Sequence, residues 1–447
     1  MLSMQEFQNH PVLCQLSAAQ VAEAIRDGRV TSEDMVRSCL ARIAQLDPAL
    51  HAWASVDAAI ALASAREMDS SPSRGPLHGV PIGIKDVIDT ADFATQFNSP
   101  IYAGHRPGRD AAVVKAARAA GMVIIGKTAT QEFATRGDAG PTRHPLSPLH
   151  SPGGSSNGSA VAVASGMIPL AISTQTAGSI ARPASYCGVV GFKPSYGLVD
   201  TAGMRLIAPS FDTLGFHTRC VGDAALALAV LGARSVPLKD SFDAPQPLRI
   251  SICRSPAWHL ASSAMRESLF ASADRLRDRG MQIDELQLPP LFDELGAAHD
   301  TVSDFEARQS LAHEWLNHRA GLSVGVQAKL LRGEAVSDLA YQKARGLIEN
   351  CRSLVDALFA DRDALLTPAA PDVAPVFSRT EIGDSAFSKG WTSLGLPCIA
   401  LPAPISSGLP IGLQLVGGPD RDSWLIHVAQ QVEATFLLSN PFLRRPQ

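Results

Sequence analysis

Between Ser151 and Gly191 the chain reads SPGGSSNGSAVAVASGMIPLAISTQTAGSIARPASYCGVVG, and no other stretch restricts fold and chemistry as tightly. It holds two loops almost free of side-chain bulk: Gly153-Gly154-Ser155-Ser156-Asn157-Gly158-Ser159, and Thr176-Ala177-Gly178-Ser179. Such loops offer hydroxyls and unobstructed backbone N–H groups, the parts from which a covalent hydrolase builds a nucleophile and an oxyanion site. Taken alone, a Gly-Ser loop is usually a linker and a lone serine usually a helix cap. Two such loops in succession call for a joint explanation.

A third group lies upstream, in Gly79-Val80-Pro81-Ile82-Gly83-Ile84-Lys85-Asp86. With it, the chain resembles the amidase signature family, whose pattern GGSS-x-GS is followed by a small-small-Ser-Ile turn and preceded by a lysine at a strand end. The resemblance continues through Gly126-Lys127-Thr128 with Glu132-Phe133, through Gly188 to Pro194, and through Gly408 to Gln414; it is weakest between about Ala233 and Asp372. It implies that Ser179 is the nucleophile, that Ser155, following a cis Gly154-Ser155 bond, relays protons, and that Lys85 is the base. The resemblance further implies an oxyanion site made by the N–H groups of Thr176, Ala177 and Gly178 with that of Ser179, and chemistry needing neither metal nor cofactor.

A lysine acts as base only when neutral, so burial must bring its pKa down from roughly 10.4. Val80, Ile82 and Ile84 make such burial credible. Asp86 is next in sequence, but neighbouring strand residues face opposite sides, so it need not hold the proton on Lys85. Three positions depart from the common family form: Asn157 replaces glycine, Gln175 replaces aspartate, and Ala181 stands where arginine often follows, with Arg182 one place later. These changes leave the three reactive residues intact and bear on substrate choice.

A chain of 447 residues, 46% hydrophobic and 18% charged, can bury a large core. Because the signature elements run from Lys85 to Gln414, the expectation is one α/β domain over 1–447, a large mixed sheet covered by helices on both faces. Within it, 1–65 reads as a helical preamble, 66–233 and 373–447 as the signature core, and 234–372 as a variable region shaping a substrate funnel. Ser17 with Gln20 forms a capping-box start, Gly28 a stop, and Thr31 opens a second helix whose Val36, Cys39, Leu40 and Ile43 make an apolar face. Ala112 to Ala120 reads as helix and Val123 to Ile125 as strand. Further on, Asp223 to Leu231 and Met265 to Arg279 read as helices, Leu248 to Cys253 and Met281 to Leu288 as strands. From Asp300 to Leu347 the period is helical, with a break at Gly333.

The net charge of −4 gives no footprint for nucleic acid or anionic membrane, so the expected partner is a small-molecule amide, with the chain a monomer or homodimer. Seven cysteines without a C-x-x-C pair read as thiols in the cytoplasm. No apolar run is long enough to span a membrane. Two motifs mislead. Gly121 to Thr128 fits the phosphate-loop pattern, but its interior is an apolar β-branched strand. His313 and His318 look like zinc ligands, but five residues turn about 140° around a helix. Cys187 reads as a small buried residue, and Trp391, Phe133 and Trp315 as pocket walls or core. The leading function is hydrolysis of small carboxamides, aryl or apolar, with carbamate or ester side activity. The alternative is the glutaminase subunit of a tRNA-dependent amidotransferase.

Overall fold

The structure, a computed structural model, describes residues 13–135, 137–233, 247–404 and 408–439. The first twelve residues of the expected preamble and 234–246 of the expected variable region therefore lie outside it. Eleven strands form one sheet: β1 (Trp53–Val56), β2 (Pro81–Lys85), β3 (Val123–Thr128), β4 (Leu170–Gln175), β5 (Val190–Lys193), β6 (Thr213–Thr218), β7 (Arg249–Cys253), β8 (Gln282–Leu286), β9 (Ala364–Pro368), β10 (Cys398–Pro402) and β11 (Gly412–Val416). Their order is β1-β3-β2-β4-β6-β5-β10-β11-β9-β7-β8, with β2 parallel to both β3 and β4 and the middle of the sheet antiparallel. This is the mixed α/β sheet that the sequence implies.

Strand alternation divides the core. Ile124, Leu170, Ile172, Ile399 and Leu401 join one buried cluster, while Val123, Ile125, Ala171 and Ala400 join another on the opposite face. Helices Ala112–Ala119, Val221–Leu231 and Asp422–Ser439 close the first face; Ser32–Leu50, Ala58–Asp69 and Asn157–Ala164 close the second. The helix signals near the start act as read. Ser17 and Gln20 form a reciprocal capping box on Ala18–Arg26, Gly28 follows its end at φ +67°, and Thr31 caps Ser32–Leu50. Val36, Cys39 and Ile43 are buried on the second face. The apolar interior of the phosphate-loop motif is β3, buried throughout.

Two local readings change. Gly333 lies inside the helix Val324–Ala335 instead of breaking it. A Cβ there would sit 2.2 Å from the carbonyl oxygen of Asp304, so the glycine is required by the close crossing of helix Leu295–Ser310. His318 lies beyond the end of helix Ala312–Asn317, so the angular argument does not describe it; its ring centroid is 5.2 Å from that of His313.

An exposed helical Gly→Ala normally stabilises by up to about 1 kcal/mol. Gly333→Ala should instead destabilise by about 1–3 kcal/mol, the range for overpacking, in urea unfolding monitored by circular dichroism.

Candidate active site

Carboxyl ends of parallel strands open onto the crevice where α/β sheets place ligands, and the candidate residues gather there. Lys85 is the last residue of β2, and the loop Thr176-Ala177-Gly178-Ser179 leaves the end of the adjacent β4. Ser155 and Ser156 stand just before helix Asn157–Ala164, which returns the chain to β4. The Gly154-Ser155 peptide bond is cis.

Lys85 is fully buried, and its Nζ lies 2.8 Å from Ser155 Oγ and 2.7 Å from Thr174 Oγ1. Burial holds its ammonium well below the ordinary lysine range. The charge of Asp212 opposes that shift and Arg182 adds to it. Asp86 is not the counter-charge: its carboxylate is 3.4 Å from Lys127 Nζ, and burial, opposed by that lysine, raises its carboxyl to about 6. The family's Gly126-Lys127-Thr128 thus supplies a partner for the acid beside the candidate base.

The Thr176–Ser179 loop is fixed through its carbonyls. Thr176 O accepts from His299 Nε2 at 3.0 Å, Ala177 O from Thr392 Oγ1 at 2.8 Å, Gly178 O from Arg182 N at 3.0 Å and Ser179 O from Ser156 N at 3.4 Å. In a trans peptide the next N–H points opposite to the carbonyl, so each anchor also directs an N–H. The N–H groups of Ala177, Gly178 and Ser179 form no hydrogen bond among the described residues. Gly178 admits no side chain, because a Cβ there would be 2.9 Å from Ser385 Cβ. Ser179 itself is 6% exposed and borders a cleft of about 810 Å³.

The departures from the family pattern have local work. Gln175 Oε1 accepts from Ile180 N at 2.8 Å and Ala181 N at 3.1 Å, and its Nε2 donates to Thr392 Oγ1 at 3.0 Å, so a neutral amide braces the turn after Ser179. Arg182 donates to Gly154 O from Nη2 at 2.6 Å and Nε at 3.1 Å, and to Gly383 O at 2.8 Å. Asn157 Nδ2 reaches Ala139 O at 2.7 Å while its Oδ1 accepts from Gly158 N.

Several contributors carry no signal in the sequence. Asp212 is buried and accepts from Thr176 Oγ1, Ile207 N and Ala208 N; burial, offset by these bonds, raises its carboxyl to about 6. His217, held near 3 by burial, accepts from Ser173 Oγ and donates to Ile180 O. His299 and Thr392 come from far along the chain. Only the fold connects them with the loop. Cys187 is buried, with its thiol pushed up by desolvation. The aromatic candidates Phe133, Trp391 and Trp315 are all buried and do not line the Ser179 cleft, whose walls mix ionic groups such as Arg332, Lys389, Asp300 and Glu381 with apolar ones such as Tyr186, Ile207, Val373 and Ile382.

The family profile described as Amidase matches residues 34–426. This chain belongs to the amidase signature family. One curated relative, a component of the glutamyl-tRNA(Gln) amidotransferase of Lysinibacillus sphaericus, is 31% identical over 94% of this chain and 96% of its own length. A solved structure described as an amidase matches with a TM-score of 0.86 at 29% identity, covering 94% of this chain and all of that one. The native peptide amidase of Stenotrophomonas maltophilia matches with a TM-score of 0.80 at 30% identity, covering 95% of this chain and 98% of that one. The chain is thus an amidase-signature amidohydrolase, and no helix among the described residues is long and apolar enough to cross a membrane.

These relatives correct the expected partners. A monomer or homodimer with no link to nucleic acid does not fit a family whose curated members here carry the name of one component of an amidotransferase for glutamyl-tRNA(Gln). Net charge misleads because it reports only on phosphate contacts made by the chain's own surface. One member of such an assembly can serve it without making them.

Gln175→Leu should leave the buried N–H groups of Ile180 and Ala181 without an acceptor, costing about 2–4 kcal/mol in denaturant unfolding. Gln175→Glu, which keeps an acceptor for both, should cost less in the same measurement.

Proposed function

We propose that this chain opens a carboxamide C–N bond through an acyl-enzyme on Ser179, as the glutamine-hydrolysing, ammonia-supplying subunit of a tRNA-dependent amidotransferase. The observation that carries the chemistry is the 2.8 Å contact between fully buried Lys85 and Ser155 Oγ. A desolvated lysine beside a hydroxyl is a proton acceptor with a ready relay. Ser179 Oγ attacks the amide carbonyl, its proton passing through Ser155 to Lys85. The N–H groups of the Thr176-Ala177-Gly178-Ser179 loop hold the oxyanion. The same relay returns the proton to the departing nitrogen, and water then cleaves the acyl-enzyme.

The names of the curated relatives support a place in a tRNA amidotransferase, and glutamine as the amide is what the resemblance to that glutaminase subunit implies. The cleft is compatible with that amide, because glutamine brings both a carboxylate and an ammonium and the lining carries both signs of charge, in the Lys389–Asp300 ion pair, Arg332 and Glu381. A second reading, hydrolysis of another small carboxamide for its own sake, is favoured by the likeness to the solved amidase and peptide amidase and by the changes at Gln175 and Ala181. We place the protein in the cytoplasm, a reading supported by seven cysteines scattered without a C-x-x-C pair. Affinity purification of the tagged chain, followed by glutaminase assay with and without copurifying chains, separates the readings. Glutamine turnover that rises with a copurified partner favours the first, and turnover of other amides with no response to glutamine favours the second.

A fluorophosphonate should modify Ser179, as mapped by peptide mass spectrometry; label on Ser155 or Cys187 with Ser179 untouched would refute the assignment.

Lys85→Ala should abolish most amide hydrolysis and spare an activated ester, whose leaving group needs little protonation. In the wild type, activity requires neutral Lys85 and is lost as pH falls through its depressed pKa, so the acid limb of the rate profile lies well below the usual lysine range. That limb should vanish from the residual ester activity of the mutant.

A further inference from the structure

We propose that His299 is a positioning residue for the acyl-transfer step: it holds the Thr176 carbonyl so that the following peptide N–H, that of Ala177, faces the reacting oxygen. This rests on the function proposed above and adds to it a residue from the part of the chain where the family resemblance is weakest. Because a carbonyl oxygen can only accept, the 3.0 Å contact fixes His299 Nε2 as the donor. The proton is therefore on Nε2 whenever the ring is neutral.

The ring has little freedom to leave. It is 2% exposed and stacks on Phe211, with centroids 4.5 Å apart and planes 14° from parallel. Its other nitrogen, Nδ1, makes no hydrogen bond and stands 3.6 Å from Asp300 Oδ1, whose second oxygen takes the ammonium of Lys389 at 2.8 Å. His299 thus spans the cleft wall, with an ion pair on one side and the candidate oxyanion loop on the other. Thr176 is held from two directions, since its hydroxyl donates to Asp212 while its carbonyl is held by His299. Without His299 only the hydroxyl anchor remains, and the Thr176–Ala177 peptide plane is free to turn its N–H out of the cleft.

Two substitutions separate this role from simple packing. His299→Phe keeps a flat ring against Phe211 and lacks the donor; His299→Gln keeps an N–H donor near the position of Nε2 and lacks the ring. Losing one oxyanion donor costs about 100- to 1000-fold in kcat, and misdirecting one should cost about 10- to 100-fold. The expected result is that fall in kcat for His299→Phe with KM nearly unchanged, a matching slowing of fluorophosphonate labelling at Ser179, and recovery of most of kcat in His299→Gln. Wild-type kcat in the Phe variant, equal loss in both variants, or a loss confined to KM would overturn the proposal. A failure of the underlying reading shows separately, as absent Ser179 labelling in the wild-type chain.

Discussion

Desolvation of Lys85 is the constraint around which this molecule is arranged. An ammonium in the centre of a sheet costs several kcal/mol unless it is paired, and here it is offered hydroxyls in place of a carboxylate. The nearby acids are otherwise engaged. Asp86 is next to Lys127, and Asp212 is bound to Thr176, Ile207 and Ala208. A direct ion pair would have stabilised the charged lysine and removed it as a candidate base. Buried carboxylates are thus held by other partners and kept out of contact with the amine they would otherwise keep charged.

The same economy appears in the Thr176–Ser179 loop, the candidate oxyanion site. Each carbonyl between Thr176 and Ser179 has a partner on the protein side, which fixes the peptide planes whose N–H groups the proposed mechanism uses. The anchors come from a side chain of helix Leu295–Ser310, a side chain of helix Ala386–Ser393, and the backbone at Arg182 and Ser156. The Ser151–Gly191 stretch itself contributes only two of these four.

That division explains what the sequence makes legible. Helix caps at Ser17 and Thr31, the buried strand Val123–Thr128 and the mixed sheet follow from short-range pattern, and each can be read from it. Lys85, Ser155 and Ser179 stand out by motif and order, and the fold gathers them at adjacent strand ends. Asp212, His217, His299 and Thr392 do not, since single polar residues carry no periodic or spacing signal. Gly333 misleads because a glycine demanded by a neighbouring carbonyl looks the same in sequence as one that ends a helix. Aromatic residues suggest a cleft lining for a similar reason: hydrophobicity reports burial and cannot tell core from pocket.

The strand order carries a consequence for how the protein comes into being. β10 and β11 lie between β5 and β9, so the last part of the chain completes the middle of the sheet, and Thr392, which fixes the Ala177 carbonyl, precedes β10 by only a few residues. A growing chain emerging from the ribosome displays Lys85, Ser155 and Ser179 long before that anchor and those strands exist. The candidate catalytic residues are therefore synthesised first and oriented last. The fold itself delays assembly of the complete candidate site until almost the whole polypeptide has been made.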